Sequence, residues 1–167
     1  PSNFCGDGSW SNTSFKFDTE SCLEYTSTNV PITIPTVGTP TVNSVLNISD
    51  KGTITDLNVL NLTGLHSYLS DLRFTLFAPS MTNVIIWNQP CGSTDNFNIN
   101  FDQASMLGNG WLCPPINGLT YQPSIPGTLD TYFGQSLKGQ WRLQVQDLAN
   151  DDGGSLQSWK IKTCMTS

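Results

Sequence analysis

His66 is the only histidine in the chain, so any catalysis that needs an imidazole depends on it. A serine-protease triad requires a histidine that reaches both a serine and a carboxylate, and no GxSxG-like turn supplies the serine. A HExxH zinc protease needs two histidines and is excluded. A glycosidase could use two of the aspartates, but these lie in turn-like contexts where capping and turn hydrogen bonds explain them. The sequence therefore favours a chain without intrinsic catalysis.

An oxygen-rich segment is the strongest candidate for metal binding. It runs from Gly92 to Asn98 and continues at Phe101-Asp102-Gln103. Aspartate, asparagine and backbone carbonyl oxygens in Gly-containing loops are the ligands that Ca²⁺ prefers. The segment lacks EF-hand spacing, and a loop of ordinary Asx turns explains it slightly better than calcium does.

The five cysteines point to disulfides rather than to a transition-metal cluster. The chain has no CxxC and one histidine, which argues against zinc. Buried cysteine is the alternative, but the low charge and the abundance of threonine and asparagine suit an exported protein with disulfides. An odd number leaves one thiol free or paired elsewhere.

Three aromatic residues could stack on sugar rings if they were exposed. Trp87, Trp111 and Tyr121 are the candidates for such a carbohydrate platform. Aromatic side chains more often lie in the core or pack under loops, so burial is the favoured interpretation.

Composition limits the class of protein. The chain has 167 residues, enough for one ordinary domain, and its formal net charge is −6. Seven lysines and arginines cannot form the basic face that nucleic-acid binding needs. No apolar run approaches the roughly 20 residues that cross a bilayer. The start lacks a basic region followed by an apolar one, so we expect any export signal to have been removed.

The residues that could take part in catalysis or metal binding must be positioned by short strands and turns, because good helix formers are scarce. Alternation of apolar and polar residues, together with short β-rich or continuously apolar runs, predicts strands at 30–34, 42–48, 54–62, 71–77, 84–87, 99–101, 141–145 and 156–161. The strands at 42–48 and 54–62 flank Asp50-Lys51-Gly52, which predicts a hairpin. The continuous apolar run 84–87 is typical of a central strand. About eight short strands indicate a β-sandwich or barrel.

The order of several motifs resembles the P domain of proprotein convertases, over about residues 29 to 162. The first half carries, in order, 30–35 (VPITIP), 52–59 (GTITDLNV), 66–72 (HSYLSDL) and 77–80 (FAPS). The second half carries Asp95-Asn96-Phe97, Phe101-Asp102, Tyr121-Gln122-Pro123, 139–143 (GQWRL), Asp147 and 152–159 (DGGSLQSW). The Asp-Asn-Phe loop and its paired cysteines are similar to the bacterial, export-associated form of the family.

The resemblance implies an all-β fold, a jelly-roll β-sandwich of about eight antiparallel strands. The P domain would occupy residues 22–167, and residues 1–21 would be an N-terminal extension or linker remnant. In the family this domain follows the catalytic domain of a secreted endopeptidase, subtilisin-like or a metallopeptidase, and holds no catalytic residue. It supports the stability and calcium dependence of that partner and the engagement of large protein substrates.

The resemblance also implies candidate site residues. Calcium would bind in the loops of Asp71, Asp95 and Asp102, although Gln103 stands where the family often has a second acid. Asp147 with Asp151-Asp152 is a second possible oxygen cluster, and a tight turn explains it equally well.

The jelly-roll layout implies how the cysteines pair. It would place Cys22 beside Cys164, and Cys91 and Cys113 would bracket the Asp-Asn-Phe loop. Cys5 would then be unpaired, and the rival pairing is Cys5 with Cys22.

Two other functions stay open on the sequence. One is an extracellular module that binds a polymer such as collagen or a polysaccharide, without a peptidase partner. The other is a hydrolase that uses two aspartates about 5–9 Å apart in an open cleft.

Overall fold

The computed structural model describes residues 19–167, so Cys5 and most of the predicted N-terminal extension 1–21 lie outside the described residues. Most regular structure in residues 19–167 is β-strand, with two short 3-10 helices, η1 and η2. The elements are β1 (Ser21–Thr26), β2 (Ile32–Ile34), β3 (Thr41–Ile48), β4 (Thr53–His66), η1 (Leu69–Asp71), β5 (Leu72–Phe77), β6 (Asn83–Asn88), β7 (Phe97–Phe101), β8 (Thr120–Tyr121), η2 (Leu129–Tyr132), β9 (Gly139–Asp147) and β10 (Gly154–Thr166).

The strands form two sheets that face each other. The larger sheet has the order β1-β10-β4-β7-β8, and β2 also pairs with β10. The smaller sheet has the order β3-β9-β5-β6. All neighbours are antiparallel except β7 and β8, which run parallel. The predicted all-β sandwich is confirmed.

The pairing follows the winding of a jelly roll. The first strands, β1 and β2, pair with the last strand β10, and β3 pairs with β9. Strands nearer the middle of the sequence continue this order: β4 pairs with β7 and β5 pairs with β6. A chain that is folded in half and then rolled gives this nested order, in which early strands meet late strands. The sandwich has more than eight strands because its first strand is split into β1 and β2 and because β8 is added at one edge.

The core lies between the sheets and is built by alternation along the strands. Trp141, Leu143 and Val145 of β9 are fully buried, and the residues between them are not. Trp159 of β10 donates its Nε1 proton to Ser44 Oγ of β3 at 2.8 Å, which joins the two sheets inside the core. A period of two residues thus places one face of each strand in the core.

Two of the predicted strand relationships are wrong. The segments 42–48 and 54–62 do not form a hairpin, because β3 pairs with β9 whereas β4 pairs with β10 and β7. A short turn that contains glycine can connect two sheets as well as two neighbouring strands, and the sequence does not distinguish these cases. The apolar run in β6 lies at the edge of the smaller sheet rather than at its centre.

No helix among residues 19–167 has the length and hydropathy required to cross a membrane.

Candidate functional site

A buried histidine and a buried aspartate join the two sheets at one end of the sandwich. His66 is the last residue of β4 and Asp147 is the last residue of β9. His66 Nε2 lies 2.9 Å from Asp147 Oδ2, and both side chains are completely buried. The sequence had indicated both residues separately, but it gave no sign that they form a pair.

The hydrogen bonds around His66 fix its tautomer. The backbone N–H of Tyr68 donates to His66 Nδ1 at 3.1 Å, so this nitrogen carries no proton. The ring proton therefore sits on Nε2, which donates to Asp147 Oδ2. The second carboxylate oxygen of Asp147 accepts from the backbone N–H of Ala149 at 3.2 Å. Both ring nitrogens and both carboxylate oxygens are thus occupied.

The pair lacks the geometry of a catalytic triad. The neighbouring hydroxyl, Ser67 Oγ, donates to Asp152 Oδ1 at 2.7 Å rather than to the imidazole. A general base must be able to accept the proton of the nucleophile, and neither ring nitrogen of His66 is free to do so. Because the chain has no other histidine, a serine–histidine mechanism is excluded for it. The pair holds the two sheets together.

Replacement of Asp147 by alanine should lower the free energy of unfolding by about 2–3 kcal/mol, because a buried N–H of His66 loses its charged acceptor. Urea denaturation of the domain measures the loss. Asp147→Asn is the matched control, since the asparagine amide oxygen can still accept from His66. The Asp147→Asn variant should lose clearly less free energy of unfolding than Asp147→Ala. Equal stability of the two variants would contradict a structural role for the pair.

Asp71 lies at the same end, where several acidic groups are close together. Burial, followed by the negative charges of Asp147 and Asp152, raises its pKa. A raised pKa means that ionisation of Asp71 costs the folded state free energy. That cost is present above the raised pKa and disappears as the pH falls to the value of the unfolded chain, about 3.9.

Asp71→Asn should therefore raise the Tm at pH 7, by about 1 °C because the carboxylate is only partly buried. The gain should shrink to nothing as the pH falls below about 4. Thermal melts between pH 7 and pH 3 measure this profile. Asp95→Asn, which removes the same charge from an exposed loop, is the control. A gain that is independent of pH would show that the electrostatic explanation is wrong.

The three carboxylates that the resemblance implied for calcium do not converge on one position. The loops of Asp71 and Asp95 share one end of the sandwich, where the Leu69 N–H donates to the Thr94 carbonyl at 3.0 Å. Asp95 and Asp102 flank opposite ends of β7, which puts them about 20 Å apart at 3.3 Å per residue. Two ligands of one Ca²⁺ lie within about 5 Å of each other. No group of three or more His, Cys, Asp or Glu side chains suited to a metal occurs within residues 19–167.

The second oxygen cluster is accounted for by local hydrogen bonds. Both oxygens of Asp147 are occupied by His66 and Ala149. Asp152 accepts from Ser67, and Asp151 Oδ1 accepts from Asn150 Nδ2 at 2.7 Å. Asp151 also has a φ of 83°, typical of a residue in a tight turn.

Calcium binding therefore stays a prediction that rests on the resemblance, without a ligand set. Calcium bound to the folded state would raise the Tm, by several degrees at 100 times the Kd, where binding stabilises by about 2.7 kcal/mol. Thermal melts with calcium and then with excess chelator test this. An unchanged midpoint would contradict it.

Two disulfides connect the cysteines in the pairing that the resemblance implied. Cys22 and Cys164 stand directly opposite each other on β1 and β10 and are bonded. Cys91 and Cys113, which are 22 positions apart in sequence, are also bonded. The first bond ties the start of the sandwich to its last strand. The second attaches the loop after β7 to the end of β6.

The aromatic residues considered for a sugar platform are part of the core. Trp87 and Tyr121 are buried, and Trp111 packs between them with ring centroids 5.2 and 6.4 Å away. Trp111 Nε1 donates to the Gln122 carbonyl at 3.0 Å. Trp87 and Tyr121 therefore offer no exposed stacking face, and the half-buried Trp111 is engaged by the rings beside it, so the three do not form an exposed platform.

Comparison with known proteins identifies the family. A family model described as the proprotein convertase P-domain matches residues 59–163, which is more than half of the chain. The chain belongs to the proprotein convertase P-domain family. The family resemblance is thereby confirmed. No curated protein sequence matched this P domain.

Solved structures show the same fold. A structure of the serine protease of Aeromonas sobria superposes with a TM-score of 0.57, and a structure of that protease with a chaperone superposes with 0.56. Each is 17% identical to this chain and covers 89% of it. The P domain spans only 28% and 27% of those two chains.

Proposed function

We propose that this P domain is a non-catalytic accessory domain at the C-terminal end of a secreted endopeptidase. The observation that carries the proposal is the family match over residues 59–163. In this role the domain stabilises the catalytic domain of the same parent chain and supports cleavage of large protein substrates. A subtilisin-like serine peptidase is the favoured partner, because the chains of similar fold are serine proteases.

The chemistry of the described residues supports a role without catalysis. The single histidine is buried with both nitrogens occupied. Nearby, Asp147, Asp151 and Asp152 accept hydrogen bonds from other groups of the chain. The parent chain must then supply the catalytic groups, as expected for a domain that matches about a quarter of each serine protease chain.

Two disulfides support a location outside the reducing cytoplasm. Cytoplasmic thiols are kept reduced, whereas exported proteins form and retain such bonds. A secreted peptidase needs a domain that resists both unfolding and digestion. A sandwich with its first and last strands covalently joined meets this requirement.

A truncation experiment tests the proposal. The parent chain and a version lacking residues 19–167 are assayed on a short peptide and on a large protein substrate, before and after heating. The truncated form should inactivate faster on heating and lose more activity on the protein than on the peptide. Equal heat resistance and an unchanged ratio of the two activities would refute the accessory role.

A further inference from the structure

The outer face of the smaller sheet is rich in amide side chains and contains no acidic group. On β9, Gln140, Arg142, Gln144 and Gln146 alternate with buried residues and therefore point away from the core. The same alternation turns the following residues of β3, β5 and β6 outward: Asn43, Asn47, Arg73, Asn83 and Asn88. We call the surface formed by these nine residues the polar face.

The polar face is positively charged on a chain that is acidic overall. It holds both arginines of the chain, whose formal net charge is −6. Asp147 is the only acid within β3, β5, β6 and β9, and it is completely buried against His66. Asp71, two residues before Arg73, has Asp147 and Asp152 as its charged neighbours. With the acids of residues 19–167, neither arginine forms an ion pair.

The outer face of the larger sheet shows the contrast. Its two lysines, Lys160 and Lys162 of β10, point outward on either side of the buried Ile161. Lys160 Nζ lies 3.6 Å from Glu24 Oε2, and Lys162 stands opposite Glu24 in β1. The positive charges of that face thus have an acid beside them, whereas those of the polar face do not.

Neighbouring side chains hold the two guanidinium groups in place on the polar face. Arg73 Nε donates to Asn88 Oδ1 at 3.1 Å. Arg142 Nη1 donates to Asn43 Oδ1 at 3.3 Å, and its Cζ lies 4.1 Å from the centroid of the Phe77 ring. In hydrogen bonds with the described residues each guanidinium therefore uses one N–H group and keeps the others for a ligand.

The register of the strands sets the spacing of the two charges. Arg142 stands opposite Phe77, and Arg73 stands opposite Gln146 at the other end of the β5–β9 pair. The two arginines are consequently about 14 Å apart along the strands, at 3.4 Å per residue. Gln144 lies between them on β9. A single small anion cannot contact both arginines, but an extended chain can.

The groups on the polar face select the chemistry of such a chain. A guanidinium pairs with a carboxylate through two parallel hydrogen bonds. A primary amide both donates and accepts hydrogen bonds, as does a sugar hydroxyl. An apolar partner would bury these amides without hydrogen-bond partners, which costs free energy. The face thus suits a polymer of hydroxylated units that carries carboxylates at intervals.

We infer that the polar face binds an acidic polysaccharide that spans Arg73 and Arg142. The two guanidinium groups pair with carboxylates of the polymer, and Gln144 and Asn43 bind the hydroxyl groups of the units between them. Binding needs no peptidase domain, so this site is independent of the proposed function. Added salt should weaken the complex, because its strongest contacts are exposed charge pairs.

Titration calorimetry of the full 167-residue chain with polygalacturonate tests the inference. Arg73→Gln with Arg142→Gln should weaken binding by about tenfold or more, because charge-assisted hydrogen bonds are lost at both positions. Lys160→Gln with Lys162→Gln is the matched control, which removes the same charge from the larger sheet and should leave the affinity unchanged. Lysine at both arginine positions should restore only part of the affinity, since an ammonium group cannot form the paired hydrogen bonds.

Several outcomes would overturn the inference. These are an absence of binding to polygalacturonate, an equal loss in the arginine and lysine double variants, and equal affinity for dextran, which is uncharged. Polyglutamate that binds more tightly than polygalacturonate, and with the same dependence on the arginines, would assign the face to an acidic polypeptide instead. A parent chain without peptidase activity would refute the proposed function and leave this binding unchanged.

A second measurement applies if the arginine double variant does not fold, as judged by its thermal melt. In the wild-type chain, polygalacturonate should shift the backbone amide NMR signals of β5 and β9 and leave those of β10 in place. Shifts that are confined to β10 and its neighbours β1 and β4 would show that the polymer binds the larger sheet and that the inference is wrong.

Discussion

Replacing both Cys22 and Cys164 by serine should lower the free energy of unfolding by about 5 kcal/mol in the chain-entropy model. The bond joins residues 142 positions apart and therefore constrains almost the whole unfolded chain. A loss of this size is comparable to the total stability of many domains, so the variant should be partly unfolded at 37 °C. Urea unfolding followed by tryptophan fluorescence measures the loss.

The second disulfide provides the control for this prediction. Its cysteines are 22 positions apart, so replacing both by serine should cost only about 3 kcal/mol in the same model. Its loss should mainly release the loop that holds Trp111. If the Cys91–Cys113 variant proves to be the less stable of the two, loop closure does not explain the contribution of the Cys22–Cys164 bond.

Gly154→Ala should destabilise the domain by about 4 kcal/mol or more. Gly154 begins β10 opposite His66, and a Cβ placed on it would lie only 1.7 Å from the Leu65 carbonyl oxygen. Backbone atoms cannot move aside without separating β10 from β4. The variant should also weaken the buried His66–Asp147 pair, because His66 is the strand neighbour that would be displaced.

Gly110→Ala is the matched control for this substitution. A Cβ at Gly110 would meet no atom within 4 Å, and its φ is not in the left-handed region. Its stability should stay within about 0.5 kcal/mol of the wild type. Thermal melting of both variants gives the comparison. A Gly154→Ala variant as stable as Gly110→Ala would show that the two strands are not packed as closely as described.

Local alternation in the sequence was enough to predict most strands but not how they pair. The runs around Phe74, Trp141 and Trp159 alternate because one face of each strand enters the core. The predicted hairpin between β3 and β4 does not form, because each of these strands pairs with strands that are distant in sequence. The two-residue strand β8 is too short for any periodic signal, and it exists because Asn100 and Phe101 offer it a partner.

The candidate site was less predictable than the fold. The disulfide pairing followed from the resemblance, since nested strands place Cys22 opposite Cys164. The His66–Asp147 pair joins residues 81 positions apart and leaves no local pattern. Calcium binding in the loops of Asp71, Asp95 and Asp102 stays a prediction, and β7 separates the last two along its length. Oxygen-rich composition alone does not determine which oxygens meet.

Two contacts at opposite ends of β10 join distant parts of this P domain. Cys22–Cys164 closes the larger sheet, and His66–Asp147 ties that sheet to the smaller one.

The most direct test of the central claim compares the peptidase activity of residues 19–167 with that of the intact parent chain on one casein substrate. The account predicts that the parent cleaves the substrate and that the P domain alone does not. Cleavage by the isolated P domain at a rate near that of the parent would contradict it, as would a parent chain with no activity under any condition that supports secreted peptidases.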